Sequence, residues 1–138
     1  MTFARKAVSA LFVLALVACA TMMAGKKVDV TLSGADEVPP VSTAARGSGG
    51  FTIGDDGSVS GSVTTTGVAG TMAHIHMAAK GQNGGVIVPL TKNGDTYSAP
   101  DGAKLNEAQM SAFKAGNLYV NVHSAAHKGG EVRGQLNP

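Results

Sequence analysis

The sequence predicts an all-β fold, an antiparallel Greek-key-like sandwich or flattened barrel with one short helix before the penultimate strand. The 138 residues include 19 glycines without a collagen-like repeat, which indicates many tight turns between short strands. Several short segments alternate apolar and polar residues, the pattern of a strand with one buried face. Aromatic residues make up only 4% of the chain, so the core is expected to be mainly aliphatic.

The predicted strands are bounded by turn residues. Two prolines interrupt 34–41, which is therefore predicted to be a loop, and 54–57 has the composition of a hairpin turn. The glycines in 81–85 and in 128–130 predict turns there as well. The strand patterns lie at 28–33, 50–53, 58–66, 71–77, 86–90, 118–123 and 131–136.

One helix is predicted after the fifth of these strands. Asn106 is a suitable N-cap, and Gln109 three residues later completes a variant of the capping box. Gly116 follows the last helical residues at the position where a left-handed conformation is favoured. Met110 and Phe113 share one face of this helix, so we expect the helix to cover the sheet and to have a structural role.

Residues 1–18 have the pattern of a removable leader. Arg5 and Lys6 precede an apolar run that is too short to span a membrane but fits an export signal. The run ends in Leu-Val-Ala-Cys at 16–19, which resembles the lipobox of bacterial lipoprotein signal peptides. The resemblance implies lipidation of Cys19, whereas an ordinary secretory signal is the alternative. Residues 19–27 would then be a lipidated tether and 28–138 the folded domain.

This leader predicts a bacterial cell envelope protein that is attached to the membrane through Cys19, on the periplasmic side or at the outer membrane. A single cysteine cannot form an internal disulfide, and lipidation would also remove a free thiol from an oxidising compartment. Without Arg5 and Lys6 the chain has nine basic and nine acidic side chains. No positive field then remains, so nucleic acid is not expected as a partner.

The four histidines lie in two segments. Alternation in 71–77 places His74 and His76 on the face opposite Ile75, and alternation in 118–123 places His123 on the face opposite the aliphatic residues. Two imidazoles at i and i+2 can bind one ion if a neighbouring strand supplies a third. His127, in a glycine-flanked turn, is a candidate fourth ligand.

The sequence therefore predicts a metal site formed by His74, His76, His123 and His127. Imidazoles without a thiolate favour copper first and zinc second. Surface or hydrogen-bonding histidines and a proton-shuttle role are the alternatives. Met77 is expected in the core, and Met72 is a weaker candidate for a thioether ligand.

Four ordered motifs in the chain resemble the CHRD domain, which occurs as repeats in the animal protein chordin and as single copies in bacterial exported proteins. The resemblance covers about 28–137 and implies a compact β domain outside the cytoplasm. The motifs are LSGADEVPPV at 32–41, AHIH at 73–76, LYVNVHS at 118–124 and GGEVRGQL at 129–136.

A more distant likeness is to copper–zinc superoxide dismutases, whose copper site also uses an H-x-H strand and a later V-H strand. That likeness implies copper ligands at His74, His76 and His123, and a guiding arginine at Arg133. The chain departs from the pattern, because it has no histidine–aspartate zinc loop between His76 and His123 and no disulfide cysteines. We therefore expect Arg133 to be a paired surface charge.

No nucleophile constellation or phosphate loop is evident, so a non-enzymatic role is favoured. Glu37 and Glu131 are expected to face solvent, with hydrogen bonding to an imidazole N–H as the alternative. The leading hypothesis is a lipid-anchored envelope protein that binds copper. An adhesion or protein-interaction module of the envelope is the alternative, and a superoxide-dismutase-like oxidoreductase is a third interpretation.

Overall fold

A computed structural model describes residues 24–138. The predicted leader and the predicted lipidation site at Cys19 lie outside the described residues. The described chain forms nine strands, a short 3-10 helix at Gly34–Asp36 and one α-helix, α1, at Glu107–Lys114. The strands are β1 (Gly25–Ser33), β2 (Arg46–Gly54), β3 (Val59–Thr66), β4 (Gly70–Met77), β5 (Gly85–Pro89), β6 (Thr91–Asn93), β7 (Thr96–Ser98), β8 (Leu118–Ser124) and β9 (Val132–Leu136).

All nine strands belong to one antiparallel sheet in the order β5-β4-β8-β9-β1-β2-β3-β7-β6. The two edge strands, β5 and β6, are consecutive in the chain and are joined through Leu90. The backbone N–H of Leu90 donates to the carbonyl of Ala73 in β4, at 3.0 Å, where the sheet turns back on itself. The sheet is therefore a nearly closed, flattened barrel, and the predicted all-β class is confirmed.

The core lies inside this sheet and is mainly aliphatic, as the composition predicts. Alternation along the strands points one set of side chains inward, and α1 adds the buried Phe113 together with Met110. The buried strand residues include Val28, Val30, Leu32, Phe51, Ile53, Val63, Ala73, Ile75, Leu118, Val120, Val122, Val132 and Leu136.

The helix has the predicted ends. The Asn106 side chain accepts from the backbone N–H of Gln109 at 2.8 Å, and the Gln109 side chain accepts from the backbone N–H of Asn106 at 2.9 Å. Gly116 follows the helix with φ +73°, in the left-handed region that favours glycine. Among residues 24–138, no helix combines the length and apolar character that a membrane crossing requires.

Two parts of the sheet differ from the sequence prediction. Strands β6 and β7 were not expected, because they are three residues each and carry polar side chains around a Gly94 turn. Strand β2 starts at Arg46 rather than at residue 50, and pairs with β1 over its whole length. The glycines of β2 break the alternation of apolar and polar residues, so the sequence does not predict the first part of this strand. Gly49 lies so close to the Ser62 carbonyl of β3 that a Cβ would clash.

We predict that Gly49→Ala lowers the free energy of unfolding by about 1–3 kcal/mol, because the added methyl group must displace backbone rather than a flexible side chain. Gly85→Ala is the matched control, since a Cβ at this β5 glycine meets nothing within 4 Å. Urea denaturation of both variants measures the difference. Equal stabilities would contradict the close approach of β2 and β3.

Candidate metal centre

The outer face of β4, β8 and β9, opposite the core, carries polar side chains that are buried or half-buried. Loops fold over this face, and backbone carbonyls of 78–84 and 128–129 accept hydrogen bonds from it. We call this set the polar layer. It consists of His74, His76, Tyr119, Asn121, His123, Arg133 and Gln135.

The polar layer brings three of the predicted ligands together. One nitrogen from each of His74, His76 and His123 lies within 4.8 Å of the other two. The Nδ1 atom of His74 is 3.0 Å from the Nε2 atom of His123. Strands β4 and β8 are adjacent in the sheet, so the pairing of the two motifs creates the cluster. These three histidines can hold a metal ion.

The hydrogen bonds to the loops determine which ring nitrogen carries the proton in His76 and in His123. His76 Nδ1 is 2.9 Å from the Gly84 carbonyl, and His123 Nδ1 is 2.8 Å from the Lys128 carbonyl. A carbonyl only accepts, so both Nδ1 atoms carry the proton and both Nε2 atoms have a free lone pair in the neutral rings. The His74 Nδ1–H then donates to His123 Nε2.

The rings of His74 and His76 are held in the neutral form, which can coordinate a metal ion. Burial lowers the pKa of His74, and the neighbouring rings of His123 and His76 lower it further. Burial also lowers the pKa of His76, against a smaller opposing effect of the hydrogen bond to Gly84. A lowered pKa keeps an imidazole neutral at neutral pH, and only the neutral imidazole coordinates a metal.

Arg133 supports this cluster through Tyr119 and is not the surface charge that the sequence predicts. Its side chain is 1% exposed, and its guanidinium carbon lies 3.4 Å from the centroid of the Tyr119 ring. Tyr119 in turn stacks on His76, with ring centroids 4.7 Å apart and planes 2° apart. The prediction was wrong because the loop at 78–84 covers the outer face of β9. The Ala79 carbonyl and the Asn83 side chain accept from the guanidinium.

The two glutamates expected at the surface are also buried. Glu37 is 4% exposed, and burial raises its pKa from an ordinary value of 4.5 to about 7, although a hydrogen bond to Asn121 and the charge of Arg133 oppose the shift. Glu131 accepts a hydrogen bond from the Thr43 hydroxyl at 2.8 Å. Thr43 is therefore the partner of Glu131, whereas Glu37 lies beside Asn121 with its Oε1 atom unpartnered. The alternation of apolar and polar residues does not predict the burial of Glu37, because Glu37 lies in a loop.

The other candidate ligands lie apart from the three-histidine cluster. His127 is half-buried in the turn after β8 and faces a cavity lined by the Pro39–Pro40 segment. Met72 is 51% exposed, on the same face of β4 as His74. Met77 was expected in the core, but it is 40% exposed because it ends the strand beside the loop at 78–84. Asn121, which sequence reasoning did not single out, is buried among the three histidines.

We predict that ionisation of Glu37 lowers the stability of the metal-free protein as pH rises, whereas His74 and His76, whose pKa values are lowered, contribute in the opposite direction. The pKa of Glu37 is higher in the folded state, so the folded state favours the protonated carboxyl group. The stabilisation is complete below pH 4.5 and is lost as pH rises through about 7. The loss is on the order of 3 kcal/mol.

Denaturation of wild type and Glu37→Gln between pH 4 and 8.5 tests this prediction, because the difference between their free energies of unfolding is expected to change as pH rises from 4.5 through about 7. Glu107→Gln, at an exposed glutamate of α1, is the control that keeps the wild-type slope. A wild-type slope in Glu37→Gln would exclude the assignment.

Comparison with known proteins agrees with the motifs. The family model of the CHRD domain matches residues 28–136, which is most of the chain and nearly all of the described fold. No curated protein and no solved structure matches the chain. The match to the family suggests an extracellular module. From its motifs, its β fold and this match, the chain belongs to the CHRD domain family.

Proposed function

We propose that this protein is a lipid-anchored cell-envelope protein whose CHRD domain binds one metal ion, with copper favoured, through His74, His76 and His123. The observation that carries the proposal is the convergence of three imidazole nitrogens within 4.8 Å of one another. His127 lies outside this group, so the proposal gives it no ligand role.

The spacing of one pair of nitrogens fits two ligands of a common ion. Two nitrogens that bind one ion at about 2.0–2.1 Å are about 2.9 Å apart when the bonds are perpendicular and about 4.1 Å apart when they are opposite. The 3.0 Å between His74 Nδ1 and His123 Nε2 corresponds to the first case. An ion would replace the hydrogen bond between these two atoms, with the His74 proton carried on Nε2 instead of Nδ1, while the Nδ1–H bonds of His76 and His123 to the loops remain.

A further observation supports an ion at this place. His76 Nε2 is a buried atom without a hydrogen-bond partner. Buried polar atoms are nearly always paired in folded proteins, and an unpaired lone pair that points at two other imidazoles is suited to a cation.

The donor set favours copper. Neutral imidazoles bind Cu(II) more strongly than other divalent first-row metals, and zinc follows as the second choice. The described part of the chain contains no cysteine, so a thiolate from it cannot change this preference. A copper ion held by imidazoles would supply a centre that accepts or releases one electron. Such an ion could instead be transferred to the ligands of another molecule.

The leader and Cys19 support the envelope location. Export followed by lipidation would place the domain outside the cytoplasm, in agreement with the extracellular character of the family. Strand β1 begins at Gly25, so five residues, 20–24, separate it from the lipid attachment point at Cys19. The six Cα–Cα steps from Cys19 to Gly25 span at most about 20 Å, which would keep the domain close to the membrane surface.

We predict that the purified protein takes up about one Cu(II) ion per chain, and that His74→Ala/His76→Ala removes this uptake because only one imidazole remains. His127→Ala is the matched control and is expected to bind as the wild type does. Metal analysis after copper loading and gel filtration measures the stoichiometry. Equal uptake by wild type and the double variant would contradict the proposed site.

The alternative is a protein-interaction or adhesion module. Among residues 24–138, the large hydrophobic side chains that are exposed are Met72, Met77 and Val86, all on the adjacent strands β4 and β5. A wild-type protein that takes up no copper or zinc would favour this alternative.

We predict that Cys19→Ser moves the protein from the membrane fraction to the soluble fraction of the cells, because the lipid attachment point is lost. Metabolic labelling with a fatty acid, followed by fractionation, measures both effects. Met22→Ser is the control with an intact attachment point. An unlabelled wild type would instead indicate an ordinary secretory signal.

A further inference from the structure

Asn121 lies at the centre of the three histidines. On β8 it is the residue directly opposite His74 of β4, and it is two residues from His123 on the same face. His76 pairs with Tyr119, the other neighbour of Asn121 on that face. The Asn121 side chain is 2% exposed, so its amide is shielded from solvent.

Two neighbouring groups fix the orientation of this amide. The Asn121 Nδ2 donates to the Gly129 carbonyl at 3.3 Å, and the Glu37 carboxyl group is a second acceptor beside it. Gly130 makes this approach possible, since a Cβ there would clash with both the Glu37 carboxylate and the Asn121 amide nitrogen. Because the Gly129 carbonyl can only accept, the nitrogen end of the amide faces this loop, and the Oδ1 atom is the end of the amide turned away from that carbonyl.

The Oδ1 atom has no hydrogen-bond partner, and neither has His76 Nε2. In the register of β4 and β8, Asn121 lies diagonally across from His76 on the same face of the sheet. In the neutral state both atoms offer only lone pairs, so they cannot satisfy each other. A proton, a water molecule or a metal ion between them would resolve this, and the three imidazole nitrogens within 4.8 Å of one another favour the metal ion.

We propose that Asn121 Oδ1 is the fourth donor to the ion that His74, His76 and His123 bind, and that Glu37 is a positioning residue that orients the amide. This inference rests on the proposed metal function. The resulting set of three nitrogens and one oxygen selects Cu(II) or Zn(II) over Cu(I), which prefers softer ligands such as a thioether.

The experiment titrates wild type and Asn121→Leu with Cu(II) in competition with a chelator of known affinity, and records the electron paramagnetic resonance spectrum of each. The leucine has a similar volume but no donor, so we expect at least a ten-fold loss of affinity and an altered spectrum. Asn93→Leu is the matched control. It makes the same change at an exposed asparagine of β6 and is expected to match the wild type.

A second measurement does not depend on how Asn121→Leu folds. Wild type labelled with ¹³C in the asparagine side-chain amide is loaded with Cu(II) and studied by electron–nuclear double resonance. A ¹³C coupling of the size expected for a directly bound amide supports the inference. Glu37→Gln, which retains an amide oxygen but can also donate, is expected to weaken this coupling while the histidine couplings remain.

The outcomes separate the two hypotheses. A wild type that takes up no metal contradicts the proposed function. A wild type that binds Cu(II) without a ¹³C coupling, and with the same affinity as Asn121→Leu, overturns the role of Asn121 while the three-histidine site stands. If the spectrum shows coupling to exchangeable solvent protons and none to ¹³C, water rather than the amide is the fourth donor. This outcome also overturns the role of Asn121.

Discussion

Strand β8 is buried on both faces, and the rest of the structure depends on how each face is satisfied. Every residue of Leu118–Ser124 is buried. The aliphatic face needs only apolar neighbours, which the core supplies without regard to direction. The polar face is more demanding, because each buried donor and acceptor there needs a partner with the correct geometry. The loops over β4, β8 and β9 supply hydrogen-bond partners for this face.

This demand links the loops to the chemistry of the histidines. The carbonyls of Gly84 and Lys128 fix the tautomers of His76 and His123, and so leave both Nε2 lone pairs available. Arg133 is held by the loop at 78–84 and stacks beneath Tyr119, which in turn supports His76. The rings are therefore oriented before any ligand arrives, which lowers the entropic cost of binding.

The sequence was sufficient for the parts of this arrangement that rest on periodicity. Alternation along β4 and β8 predicts that His74, His76 and His123 turn away from the core, whereas the pairing of these two strands is left open by the sequence and is given by the structure. The sequence was insufficient for the parts that rest on loops. Arg133 and Glu37 look like surface charges in the sequence, because nothing in a strand pattern shows that a distant loop will cover its outer face.

The unpartnered atoms of the polar layer have an energetic consequence. A buried polar atom without a partner costs about 1–3 kcal/mol, and His76 Nε2 and Asn121 Oδ1 are two such atoms within one small volume. Apolar side chains there would avoid this cost, so stability alone does not account for these residues. Departures from local rules of this kind are expected at functional sites. A cation would satisfy both lone pairs at once, and its binding would add to the stability of the fold. The atoms that destabilise the metal-free domain are thus the ones to which the proposed ion would bind.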